Sequence, residues 1–190
     1  ACLVGSEMCI RDRFKRYKSM QARRAISQER RQSLQDLHDL FAGLCVKLES
    51  RLVKEEVFCT EIAFVSTYEN GRSWSDSIHV SPPLQDAMLI RKKLLTRMDE
   101  FSKHHNSGPI INNNITSMGV SISRFIPSDM IQLHLFEDNV QKDKLRKVIY
   151  NVKDKYGSDK IMRAIELRDE QVLKDAIGFG SVKDLHSDLF

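Results

Sequence analysis

Seven cations fall within the 18 residues from Phe14 to Arg31: Lys15, Arg16, Lys18, Arg23, Arg24, Arg30 and Arg31, against the single acid Glu29. That block carries +6, whereas the whole 190-residue chain carries only +4, so the remainder is slightly acidic. Cations at this density can neutralise successive phosphates without reading a base sequence. The competing reading is a solvated basic arm with no ligand. Other chemistry-bearing residues do not assemble by spacing. Cys2, Cys9, Cys45 and Cys59 lack a C-x-x-C pair, so neither a zinc site nor a disulfide framework is expected, and a reducing, cytoplasmic setting is the default. His104 and His105 are adjacent but have no third ligand nearby, and His38, His79, His134 and His186 are scattered. Asp36 and Asp39 share a helix face but flank apolar positions, which predicts a solvated face rather than a metal pair. No catalytic residue, metal site or cofactor is assigned.

The elements that must position the cations follow from periodicity. Ala25 to Arg31 is expected as a short polar edge strand. Leu34, Leu37, Leu40, Phe41, Leu44, Cys45, Leu48 and Leu52 recur at helical steps, with Ser33 as N-cap. Val57 to Tyr68 is dominated by β-branched and aromatic residues and alternates as a strand. Glu69-Asn70-Gly71-Arg72 reads as a hairpin turn, because Asn-Gly accepts positive φ. Ser73 to Val80 returns as a polar strand, and Ser81-Pro82-Pro83 is expected to stop it and start a second helix. That helix would bury Leu84, Ala87, Met88, Leu94, Leu95, Met98 and Phe101. His104 to Pro109 is a loop, and Thr116 to Phe125 alternates as a half-exposed strand.

The order β-α-β-β-α-β predicts an α+β fold: a ferredoxin-like split βαβ antiparallel sheet with both helices on one face. The other face, rich in Ser, Thr, Gln and Arg, would stay open. Two tail helices are expected at Lys142–Tyr156 and Asp159–Asp169, with Gly157 between them as a C-cap. The expected organisation is a non-native or disordered start at 1–13, a basic linker at 14–24, and a sheet domain at 25–128. A docking segment at 129–139 and a helical and flexible tail at 140–190 follow. Ala1 to Arg13 has no periodicity and resembles translated sequencing-adapter DNA. The longest nearly unbroken apolar run, Leu40 to Val46, is too short to cross a bilayer, so no membrane role is expected.

Five stretches carry a family resemblance. Ala25-Ile26-Ser27-Gln28-Glu29-Arg30, behind a basic linker, is similar to the segment entering the little-finger domain of Y-family DNA polymerases. Asn114 to Phe125 resembles that domain's last strand, with Gly119-Val120 ahead of alternating residues. Gln132-Leu133-His134-Leu135-Phe136 resembles the pentapeptide by which bacterial polymerases dock on the sliding clamp. In it Leu135 and Phe136 fill an apolar cleft while Gln132 fixes orientation. Lys142 to Leu167 is similar to the extension behind the clamp motif in bacterial lesion-bypass members, and Ile177 to Asp184 resembles a closing motif of Gram-positive and phage members.

The resemblance implies translesion synthesis and DNA repair in a DNA-directed polymerase of the DNA polymerase IV/V type. It also implies a bacterial cytoplasmic setting in the SOS response. Magnesium would sit on palm carboxylates, a motif that this sequence does not contain. The chain as given would hold template-primer DNA and the sliding clamp, as a monomer, without catalysing. For DNA contacts the resemblance implies Arg24, Ser27 and Arg30 on the first strand, and Ser117, Ser121, Ser123 and Arg124 on the last. Lys15, Arg16, Lys18 and Arg23 would contact DNA from the linker. Gln132, Leu133, Leu135 and Phe136 would bind the clamp. Several relatives carry cations where this chain has Thr116-Ser117 and Ser121, which predicts weak, salt-sensitive DNA binding. The alternatives are a free-standing, non-catalytic little-finger-like regulator and an RNA-binding sheet, the latter disfavoured by the lack of stacking rings on the last strand.

Overall fold

The computed structural model describes residues 19–131, 139–157 and 160–162. In chain order these form β1 (Ser19–Ala25), the short helix α1 (Gln28–Arg31), α2 (Leu34–Lys54), β2 (Val57–Tyr68) and β3 (Ser73–Leu84). Then come α3 (Ala87–His104), β4 (Ile115–Pro127), a 3-10 turn (Ser128–Met130) and α4 (Asn139–Tyr156). The expected start at 1–13, Lys15, Arg16, Lys18, the docking residues Gln132, Leu133, Leu135 and Phe136, and nearly all of the second tail helix lie outside the described residues.

The strands form one sheet in the order β1-β4-β2-β3, and each neighbouring pair is antiparallel. It follows that β1 and β2 run parallel, linked through α2 and divided by β4. By the same logic β3 and β4 run parallel, linked through α3 and divided by β2. Two split βαβ units are thus interleaved, and the α+β class read from the sequence is the one observed.

One face of the sheet carries the core. Met20, Ala22, Ile62, Phe64, Met118, Val120 and Ile122 are buried there against Leu37, Phe41, Leu44 and Leu48 of α2 and Ile90, Leu94 and Met98 of α3. A chain of rings ties four elements together. Phe41 meets Phe64 edge-on at 5.2 Å, Phe64 lies 6.2 Å from Trp74, and Trp74 lies 5.4 Å from Phe101. Such pairs each add about 0.5–1.5 kcal/mol beyond their area. Ser33 caps α2 as expected, its Oγ accepting from the Asp36 amide at 3.2 Å.

The unbroken run from Leu40 to Val46 is buried all round. The sheet covers one side of α2, α3 a second, and α4 a third. The α4 contact is ionic. Glu49 of α2, fully buried, accepts from Arg146 Nε at 2.8 Å and from the Tyr150 hydroxyl at 3.1 Å. Arg146 also pairs with Asp86 at 2.8 Å and with Asp143 at 2.6 Å, and Lys147 Nζ reaches Glu56 at 2.9 Å.

Four expectations need correction. The first strand is Ser19–Ala25, not Ala25–Arg31; Ile26 stays buried, its amide bonding Thr116 O at 2.8 Å, and the chain then turns into α1. The signal was faint because β1 places small Ala22 on the core side and long polar side chains elsewhere. The third strand continues through Pro82 and Pro83 to Leu84 instead of stopping at Val80. Pairing jumps from Glu61↔His79 to Cys59↔Leu84, so the prolines sit in a bulge on an edge strand, where a missing N–H breaks no ladder bond. Helix α3 consequently starts at Ala87, with Asp86 Oδ1 accepting from the Met88 and Leu89 amides, and Met88 is exposed rather than core. Asp39 is buried, accepting from Gln35 Nε2 at 2.9 Å, so only Asp36 lies on a solvated face.

Candidate nucleic-acid interface

Strand alternation and the observed register define the face opposite the helices. Four cross-strand rows run across β1, β4, β2 and β3: Ser19, Ser123, Glu61, His79; then Gln21, Ser121, Ala63, Ser77; then Arg23, Gly119, Val65, Ser75; then Ala25, Ser117, Thr67, Ser73. Adjacent strands lie about 4.8 Å apart, so the rows form one surface in which hydroxyls and small side chains predominate, with Gln21, Arg23, Glu61 and His79 among them. These rows contain no Phe, Tyr or Trp, and their one ring is the His79 imidazole on β3; Phe64, Trp74 and Tyr68 belong to the other face or its margin.

Arg23 stands on the edge strand β1 and its side chain reaches over β4. Its Nη2 and Nε donate to Ser117 Oγ at 3.0 and 3.3 Å. Ser117 Oγ lies 2.7 Å from Thr67 Oγ1, which lies 3.1 Å from Thr116 Oγ1, and the latter donates to Thr67 O. Gly119 makes this possible. A Cβ there would stand 3.1 Å from Arg23 Cγ and 3.2 Å from Val65 Cγ1. Without it the Arg23 stem lies close across β4. Sequence reading noted Gly119-Val120 only as part of a family pattern; the spacing requirement emerges from the sheet.

At the far end of the face, Glu61 Oε2 accepts from Ser123 Oγ at 2.6 Å and from Arg124 Nε at 3.2 Å. The Ser123 hydrogen bond, opposed by burial and helped by the Arg124 charge, holds the Glu61 carboxyl below its usual range. Arg124 adopts a left-handed backbone at φ +54, and its carbonyl accepts from Thr60 Oγ1 at 3.0 Å. An acid on the open face is absent from the sequence reading; the alternation of β2 carried the signal, since Glu61 is in phase with Ala63, Val65 and Thr67.

The structure brings Ser117, Ser121, Ser123, Arg23 and Arg124 together on one side of the sheet. It separates three others. Arg24 is in phase with Met20 and Ala22, toward the helical layer, rather than with Arg23. Ser27 is the extended residue ahead of α1, and Arg30 lies within α1, so neither is on the first strand. Arg31, also in α1, is paired with Glu69 at the β2–β3 turn. Arg23 itself is a strand residue, not a linker residue.

Elsewhere, His105 stacks on Phe101 at 4.1 Å and its Nδ1 lies 3.0 Å from Phe101 O. Among the described residues no group of three His, Cys, Asp or Glu side chains could hold a metal, and no helix is long and apolar enough to cross a membrane. Hydroxyls and guanidinium groups on one face of a sheet can hold phosphate oxygens.

Fold and face together define an α+β sheet domain with one helix-covered side and one open, hydroxyl-lined side. Residues 17–135 match the impB/mucB/samB family C-terminal domain. The chain belongs to that family, whose C-terminal domain is the little finger of Y-family polymerases. Among solved structures the chain is similar to one described as a complex of beta-clamp processivity factor and little finger domain of PolIV. Identity is 11%, with 63% of this chain and 99% of that chain covered, at a TM-score of 0.41. No curated protein matches the sequence.

Proposed function

We propose that this chain is the DNA-holding and clamp-docking part of a Y-family lesion-bypass polymerase. The open face lies along the backbone of a template-primer duplex, and Arg23 with the Ser117, Ser121 and Ser123 hydroxyls contacts phosphates. Lys15, Arg16 and Lys18, directly ahead of β1 in sequence, extend the cationic track. The observation that carries this reading is a face of serine and threonine hydroxyls whose rows hold no Phe, Tyr or Trp, with Arg23 reaching over it from β1, which suits shape-based backbone contact more than base stacking. Gln132-Leu133-His134-Leu135-Phe136 docks on the sliding clamp, on the strength of its sequence. Nucleotide addition, with magnesium, belongs to the palm of the complete polymerase, which acts in the bacterial cytoplasm on damaged DNA during the SOS response.

The test is a duplex titration at rising salt. The expected result is weak binding whose log K falls with log[salt] at about −0.9 per phosphate neutralised, and Arg23→Gln should flatten that slope by about one contact. A flat salt dependence in the unaltered chain would overturn the reading. Removing residues 132–136 should abolish recovery on immobilised clamp, and undiminished recovery would refute the docking assignment.

A further inference from the structure

We propose that Glu61 acts as an internal stand-in for a DNA phosphate, occupying the Ser123 and Arg124 donors until the duplex displaces it. This rests on the open face being the DNA-binding surface. Both donors converge on one oxygen: Ser123 Oγ lies 2.6 Å and Arg124 Nε 3.2 Å from Glu61 Oε2. A hydroxyl and a guanidinium on a single anionic oxygen is the donor set that a phosphate oxygen also accepts. His79 occupies the next position in the same cross-strand row, so a third donor borders the spot.

The exposure of the pair allows the exchange. The Arg124 side chain is 69% and the Glu61 side chain 31% exposed, so the carboxylate can swing into water without unpacking the core. In the free protein the pair cancels one of the two guanidinium charges assigned to the face, leaving Arg23 to dominate. A phosphate arriving at this end competes with a ligand already in place, so Glu61 holds down affinity at that spot. The domain can then release DNA it does not fit.

The experiment is a double-mutant cycle on duplex affinity, using a fixed-length duplex at low salt, with Glu61→Gln, Arg124→Gln and both together. Glutamine keeps the shape and the acceptor oxygen of residue 61 while removing its charge. Expected is a gain of roughly three- to tenfold from Glu61→Gln that vanishes when Arg124 is already Gln, since coupled neighbours show such interaction terms. An equal gain in both backgrounds would mean a general field effect, and no gain in either would mean no competition. Either result overturns the stand-in while leaving the DNA-binding face intact. Salt-insensitive or absent duplex binding by the unaltered chain removes that face, and this inference with it. Thermal unfolding of Glu61→Gln, expected to match the unaltered chain, shows that the change reads binding and not folding.

Discussion

Replacing Arg146 by Met keeps a long apolar stem on α4 but removes the guanidinium from the fully buried Glu49. Three ion pairs go at once, to Glu49 at 2.8 Å, Asp86 at 2.8 Å and Asp143 at 2.6 Å. Asp86 and Asp143 keep about a quarter of their side-chain surface in water and lose little. Glu49 has none, and a buried charge deprived of its partner costs about 3–5 kcal/mol. The domain can avoid most of that cost by letting α4 lift away, which rehydrates the carboxylate. The expected readout is therefore local. In native-state hydrogen exchange, amides of α4 should lose protection by roughly 100-fold or more, since about 1.4 kcal/mol is a factor of ten. Amides of β2 and β4, at the centre of the sheet, should be unchanged. Combining Arg146→Met with Glu49→Met should restore α4 protection, because replacing both partners of a buried pair by apolar groups is often neutral or stabilising. Unchanged α4 protection in Arg146→Met would refute the view that the buried pair holds this helix.

Gly119→Val should destabilise the domain by about 1–3 kcal/mol, read by urea denaturation, because the new side chain overlaps Arg23 and Val65. The same change should weaken duplex binding by displacing Arg23, whereas Gly108→Ala, with open space around it, should do neither. Cys45 and Cys59 should resist thiol reagents in the folded protein and react only on unfolding. Burial raises both thiols, Cys59 up to about 12, and Cys59 Sγ also lies 3.2 Å from Leu84 O. An unfolded thiol titrates near about 8.5, so the folded state binds more protons above that pH. The contribution of these thiols is accordingly intact below that pH and declines as pH rises toward 12, a trend that Cys59→Ser should diminish in alkaline unfolding curves.

Much of the fold is legible in the sequence because local chemistry and tertiary position agree. Val57–Tyr68 is read to the residue, since β-branched and aromatic residues fill a strand paired on both sides. The Asn70-Gly71 turn and the Ser33 cap are likewise local devices that no packing overrides. The misreadings arise where the partner decides. β1 is an edge strand with little β propensity, and it exists because β4 offers a pairing edge along Ser117–Ser123. Pro82 and Pro83 look like a stop signal, yet an edge bulge accommodates them. Arg146 and Tyr150 look like the polar side of an amphipathic helix, and only Glu49, about a hundred residues earlier in the chain, turns them into buried anchors.

The candidate site divides along the same line. The sequence by itself determined that a basic block precedes a β-α-β-β-α-β domain, and that its last strand alternates serines with core residues. Which cations face outward was settled only by the sheet. Side chains alternate with period two, so burying Met20 and Ala22 sends Arg23 to the open face and Arg24 toward the helices. The same register sets Glu61 beside Ser123 and within reach of Arg124, 62 and 63 residues away in the chain. Such pairings are properties of strand order and register, long-range terms that no window of residues contains.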